Sequence, residues 1–325
     1  MKENENELLD LDEEGNIKDK TPEKNTKNKD NSFKIIVTII ITLIIICAII
    51  LIFKFYKTNH IELIISNDYD EMSKKAADII TELLKNNPNA ILGLATGSTP
   101  IGTYNELINR YNKKEISFEN VTTFNLDEYI GLEQLHPQSY YKYMYEHLFK
   151  HININLDNTH IPKGEGNPEE NVKEYESLLK NNKINLQILG VGRNGHIGFN
   201  EPGTNFDIGV HDVILHNKTV KDNARFFEND INKVPKKAIT MGIKNILDAE
   251  TIILMANGTD KAEAIKNVMG NRVDVNIPVT ALQMHKGKVY VIVDKKAASK
   301  LILASATYRQ SRLFMAKLYF VFYGA

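Results

Sequence analysis

The sequence predicts an α/β protein: a doubly wound, mostly parallel sheet with helices on both faces, preceded by one transmembrane helix. Two observations carry the sheet. Short apolar runs rich in β-branched residues alternate with longer stretches whose apolar positions recur every three or four residues. These are the patterns of buried strands and amphipathic helices, and their alternation builds parallel sheets covered on both sides. A third observation, the uncharged apolar run from Ile35 to Phe53, carries the transmembrane helix.

In chain order, residues 1–33 are polar and of mixed charge, with too little apolar surface for a core, and read as disordered. Residues 34–57 are the expected transmembrane helix and its flanks. At about 1.5 Å per residue the apolar run nearly spans a hydrocarbon core of about 30 Å, and Lys34, Lys54, Phe55, Tyr56 and Lys57 suit the interfaces. Its distance from the terminus, its length and the lack of a small-residue cleavage site speak against a signal peptide. Residues 60–303 form the main domain. Strands are expected at Ile61–Ile65, Ala90–Ala95, Val121–Leu126, Ile184–Val191, Thr251–Ala256 and Val289–Val293, and helices at Tyr69–Lys85, Ile101–Tyr111, Ser139–Phe149 and Asp260–Met269. Residues 304–325 form a tail of unassigned role, its aromatic run Leu318–Phe322 being too short for a second span.

Composition narrows the function classes. Among 325 residues, 40 Lys and Arg balance 41 Asp and Glu, so no basic excess points to nucleic acid. The single cysteine, Cys47, rules out an internal disulfide, argues against a cysteine metal site, and lies inside the apolar run where a catalytic thiol is out of place.

The chemistry-bearing motifs fall at strand ends, where open α/β sheets bind ligands. Leu94-Ala95-Thr96-Gly97-Ser98-Thr99-Pro100 joins a strand to a helix. Its amides, the hydroxyls of Thr96, Ser98 and Thr99, and the helix dipole suit an anion, although the same residues suit an ordinary capped helix start. It lacks the lysine of a Walker loop, which disfavours a nucleotide. Asp127 and Glu128 end an apolar strand. Neighbours in extended chain point opposite ways, so Asp127 alone is the candidate for proton transfer, against a carboxylate pair capping the next turn. The glycine-rich turn Gly190–Gly203 holds His196 and, five residues on, Glu201, an acid/base pair on a loop that glycine lets approach a ligand. Arg225 in N-A-R-F-F and Lys261 at a helix start are either solvated charges or the cations of a phosphate site.

Together these motifs resemble the glucosamine-6-phosphate deaminase family over residues 61–300. L-A-T-G-S-T-P, T-F-N-L-D-E-Y-I-G-L, H-P-Q-S-Y-Y, G-V-G-R-N-G-H-I-G-F-N-E-P-G-T, N-A-R-F-F and V-P-K-K-A-I-T-M-G-I occur in the family's order. The resemblance implies a modified doubly wound, Rossmann-like sheet and conversion of glucosamine 6-phosphate to fructose 6-phosphate and ammonia, without metal or organic cofactor. It implies Asp127 as the base moving a proton between C2 and C1, His196 as the residue opening the sugar ring, Glu201 as its partner, and Asn194 beside them. It implies a phosphate site at Thr96, Gly97, Ser98, Thr99, Arg225 and Lys261.

Two departures stand out. Asn194 occupies a position where some relatives carry aspartate; an asparagine carbonyl can accept from the imidazole and fix its tautomer, but supplies no charge. The stretch Phe206–Val213 lacks the basic residues of the allosteric effector site in activated bacterial relatives, which leaves the effector and the associated homo-oligomer open. The alternatives are a 6-phosphogluconolactonase, for which D-E-R and G-H-T-A motifs are expected instead, and a non-catalytic sugar-phosphate sensor. For location, lysines before the span put the N-terminus in the cytoplasm and the domain across the membrane. The phosphosugar substrate, and acceptor patterns at Asn120, Asn217 and Asn257 where a glycan would interfere, favour instead a cytosol-facing domain on a single-pass anchor.

Overall fold

The computed structural model describes residues 34–47 and 60–301, in two compact units divided after Lys57. In the first, helix α1 covers residues 34–47, and the Thr38 and Thr42 hydroxyls each donate 2.8 Å bonds back to the carbonyls of Lys34 and Thr38. At 1.5 Å per residue the described part of this helix covers about 21 Å, against a hydrocarbon core of about 30 Å. Among the described residues no helix is long and apolar enough to cross a membrane. The expected transmembrane helix over 35–53, and the single-pass, cytosol-facing placement built on it, are therefore corrected. Residues 48–53 of that expectation, the 1–33 segment and the 304–325 tail lie outside the described residues.

The second unit carries a seven-stranded sheet in the order β1-β10-β9-β6-β2-β3-β5, parallel throughout. Its strands are β1 (Ile61–Ser66), β2 (Ile91–Leu94), β3 (Thr122–Asn125), β5 (Thr159–His160), β6 (Leu186–Leu189), β9 (Thr251–Ala256) and β10 (Lys288–Asp294). All expected strands form. The central ones are buried on both sides, as continuous apolar runs in parallel sheets require. Ladder register places Phe124, Gly93, Gln187 and Ile252 on one face and Met255 on the other. Tyr175 of helix α5 (Pro168–Asn181) packs its ring 6.1 Å from Phe124, whereas the Thr103 hydroxyl of α3 (Ile101–Asn112) reaches Met255 Sδ at 3.6 Å. Helices thus cover both faces. Helix α2 (Tyr69–Asn86), capped by Asp68, packs beside α3, and α4 (Tyr140–His147) is capped by Ser139.

A second, antiparallel sheet of three strands was not expected: β4 (Asp127–Tyr129), β8 (Lys237–Thr240) and β7 (His211–Ile214), in the order β4-β8-β7. Strand β4 begins two residues after β3 ends, so the chain turns from one sheet into the other at Leu126. Its first residues are the two carboxylates, a composition that strands avoid, which hid it from pattern reading. This small sheet forms a wall beside the carboxyl ends of the large one and encloses its own apolar cluster around Tyr129, Phe199 and Phe227.

Candidate active site

The strand-end motifs meet in one cleft of about 290 Å³. It lies beyond the carboxyl ends of β2 and β6, the neighbours between which chain order along the sheet reverses. Thr96, Gly97, Ser98 and Thr99 come from the loop after β2, Asp127 from the start of β4, and His196 from the turn after β6. Arg225 and Lys261 come from the short turns Ala224–Phe226 and Thr259–Lys261. Asn194 and Glu201 stand behind His196. A larger cavity of about 370 Å³, on the far side of Glu128, contains none of the expected site residues.

At one end, Gly97 has φ +88°, a backbone region glycine enters without strain. Three cations line the same cleft. The Arg225 guanidinium stacks 4.6 Å from the Phe226 ring. Arg193, absent from the sequence-based set, donates from Nε to Asp260 (3.0 Å) and stands 3.9 Å from Asp222. Burial pushes the Lys261 ammonium below its ordinary pKa, opposed by Asp260 and reinforced by Arg193 and Arg225. A bound anion would relieve that crowding.

At the other end, Asp127 and Glu128 diverge as extended neighbours should. Glu128 turns away from the cleft's chemistry and accepts the amides of Tyr129 (2.8 Å), Tyr140 (2.8 Å) and Tyr141 (3.1 Å), anchoring the start of α4. Asp127 lines the cleft, only 6% exposed, and no described residue donates a hydrogen bond to it. Burial, helped by the Glu128 charge, raises its pKa to about 8. Tyr140, also missed by sequence reasoning, lines the cleft and stacks 6.1 Å from Phe199.

His196 and Glu201 come together, with Nδ1 3.6 Å from Glu201 Oε2. The imidazole lies flat against Gly192, where a Cβ would come within 2.3 Å of its Cε1, so only glycine admits the ring. Glu201 is 3% exposed. Burial would raise its carboxyl, but His196, the Thr219 hydroxyl and Asn194 outweigh that and hold it at about 2. Thr219 donates a very short bond to Oε1. The expected bond between Asn194 and the imidazole is not formed: Asn194 Nδ2 donates instead to Glu201 (2.8 Å), and its carbonyl receives the His196 backbone N–H at 3.3 Å. The tight turn brings that amide to the carboxylate before the ring. A second imidazole, His216, lies 3.7 Å from the same carboxylate oxygen. Thr219 was legible in principle. It sits one helical turn before Asn223, which donates to Tyr129 Oη (2.8 Å), so a helical reading of α6 (Asn217–Asn223) puts both on the site face.

With this geometry in place, comparison with known proteins is decisive. A profile described as glucosamine-6-phosphate isomerases/6-phosphogluconolactonase matches residues 67–291. The chain belongs to that family. It is 51% identical over 236 residues to a glucosamine-6-phosphate deaminase of Clostridium novyi, covering 72% of this chain and 97% of the relative. More than a quarter of this chain therefore has no counterpart in that relative. Among solved structures, a monomeric glucosamine-6-phosphate deaminase superposes with a TM-score of 0.71 at 43% identity, covering 73% of this chain and 99% of that one. A 6-phosphogluconolactonase from Trypanosoma brucei, at 17% identity and a TM-score of 0.62 over 74% of this chain and 98% of its own, shares the fold.

Proposed function

We infer that this chain is a glucosamine-6-phosphate deaminase, converting glucosamine 6-phosphate and water to fructose 6-phosphate and ammonia. The observation that carries the reading is the convergence of Asp127, the His196–Glu201 pair and the Thr96–Thr99 loop in one cleft, in a chain half identical to proteins of that name. The loop amides and hydroxyls, with Arg225 and Lys261, receive the phosphate. His196 faces Glu201 through Nδ1, leaving Nε2 to take the proton of the anomeric hydroxyl and return it to the ring oxygen, which opens the ring. Glu201 stays ionised and stabilises the imidazolium formed in between.

Ring opening exposes an aldehyde, and only then is the C2 hydrogen acidic. Asp127 takes that proton and delivers it to C1, passing through an enolamine to a C2 imine, which water hydrolyses to the ketone and ammonia. A carboxylate raised towards neutrality is a stronger base than a solvated one. The substrate's own amino group, attached to C2, brings a positive charge beside it that favours the ionised form.

Ammonia release from glucosamine 6-phosphate by the full chain, measured against an Asp127→Asn control, tests the reading. Binding without ammonia release would make the protein a sensor. Hydrolysis of 6-phosphogluconolactone in its place would make it a lactonase.

A further inference from the structure

The loop assigned to phosphate is held from behind by three tyrosines, none of which lines the cleft. Tyr143 Oη donates to Gly97 O at 2.5 Å. Tyr69 Oη lies 3.1 Å from both Ser98 O and Thr99 O and accepts the Gly102 N–H at 2.8 Å. Tyr104 Oη donates to Ala95 O at 2.6 Å and accepts the N–H of the same residue at 3.2 Å. Of the five successive loop carbonyls from Ala95 to Thr99, all but that of Thr96 lie within 3.1 Å of a tyrosine hydroxyl, the single Tyr69 hydrogen being shared between Ser98 and Thr99. Among the described residues no acceptor takes the N–H groups of Gly97, Ser98 or Thr99.

Peptide geometry turns this into a statement about direction. In a planar trans peptide the C=O and the following N–H point to opposite sides. Holding the Ala95, Gly97 and Ser98 carbonyls on the tyrosine side therefore turns the N–H groups of Thr96, Ser98 and Thr99 to the cleft side. A flexible loop would otherwise have to order its amides on binding, at a cost in conformational entropy; hydroxyls already in place remove that cost. Burial raises the pKa of Tyr104 and Tyr143, so both remain protonated donors.

Tyr143 has a second connection. It lies on α4 three residues after Tyr140 and two after Tyr141, whose amides hold Glu128, the neighbour of Asp127. One helical turn thus links the loop to the strand that carries the base. Tyr69, on α2, bonds only to the loop and to the Gly102 N–H at the start of α3 among the described residues, whereas the loop's first end is tied to the same strand directly, Leu126 N–H donating to Leu94 O at 3.2 Å.

We propose that Tyr69, Tyr104 and Tyr143 are positioning residues for phosphate recognition: their hydroxyls turn the loop amides into the cleft, and Tyr143 also sets the spacing between that cradle and Asp127. The inference rests on reading the loop as the phosphate site. Tyr69→Phe and Tyr143→Phe each remove one hydroxyl and keep the ring. They are to be compared with wild type, as full chains, by calorimetric titration with inorganic phosphate and by ammonia release from glucosamine 6-phosphate. Loss of one orienting hydrogen bond is expected to weaken phosphate binding and raise KM together, by roughly two- to twelvefold. In Tyr69→Phe kcat and its pH profile stay unchanged, whereas in Tyr143→Phe kcat also falls.

Unchanged phosphate affinity and KM in both variants, with or without a lower Tm, would leave the tyrosines a structural role only and overturn the proposal. Equal kcat in the two variants would remove the spacing role of Tyr143. Failure of the underlying reading is distinguishable, because then wild type itself shows no competition between phosphate and substrate.

Discussion

Two carboxylates in this site are almost equally buried and have opposite electrostatic fates. Asp127 and Glu201 are 6% and 3% exposed, yet burial and Glu128 raise the first to about 8 while contacts that outweigh burial hold the second at about 2. The difference lies in their partners. Glu201 accepts from Thr219 and Asn194 and faces two imidazoles, so its charge is compensated in the ionised state. Asp127 sits at the start of an antiparallel strand with no donor among the described residues and a like charge next door. Burial alone therefore does not decide protonation; the donors that a fold brings to the carboxylate do. On the proposed mechanism, one group serves as a fixed counter-ion and the other as a base poised near neutrality.

The largest effect expected from breaking the comparison is at the base. Asp127→Asn should lower kcat for ammonia release by about 10³-fold or more while phosphate affinity is retained, since general base catalysis supplies about 10²–10⁴. Glu201→Gln should lower kcat by about 10²-fold, because the imidazolium formed during ring opening loses its counter-charge, again with KM largely kept.

Stability should then separate the two sites in sign. Glu201 is lowered from 4.5 to about 2, so it stabilises the fold fully above its unfolded value and loses that contribution as pH falls through about 2. Asp127 is raised from 3.8 to about 8, so it penalises folding increasingly as pH rises between those values. At pH 8, Asp127→Asn is expected to raise Tm and Glu201→Gln to lower it. Thermal melts across pH would read both; shifts of the same sign would break the comparison. The smallest effect concerns Asn194. Asn194→Asp would place a carboxylate where an amide now donates to Glu201, and the acid limb of the pH–rate profile should move up by about one unit. Coincident profiles for variant and wild type would show that this contact does not set the ionisation.

Much of this was legible in the sequence because it depends on local pattern. The six expected strands are short apolar runs with turn residues at their ends, and the ligand loops follow them by the geometry of parallel sheets. The alternation of extended chain was enough to separate Asp127 from Glu128. What escaped depends on long-range approach. Tyr69, Tyr104 and Tyr143 are separated by more than thirty residues each, and nothing local shows that their hydroxyls converge on one loop. The partner of Asn194 follows from the path of a tight turn, not from its neighbours in sequence. Strand β4 carries two carboxylates where a pattern expects apolar residues.

The most direct test of the contrast between the two carboxylates is a pH titration of the free protein with ¹³C-labelled carboxyl groups, followed by NMR. One aspartate resonance should titrate near pH 8 and vanish in Asp127→Asn, while one glutamate resonance titrates near pH 2 and vanishes in Glu201→Gln. Titration of the Asp127 resonance in the ordinary carboxylate range, near 4, would contradict the account.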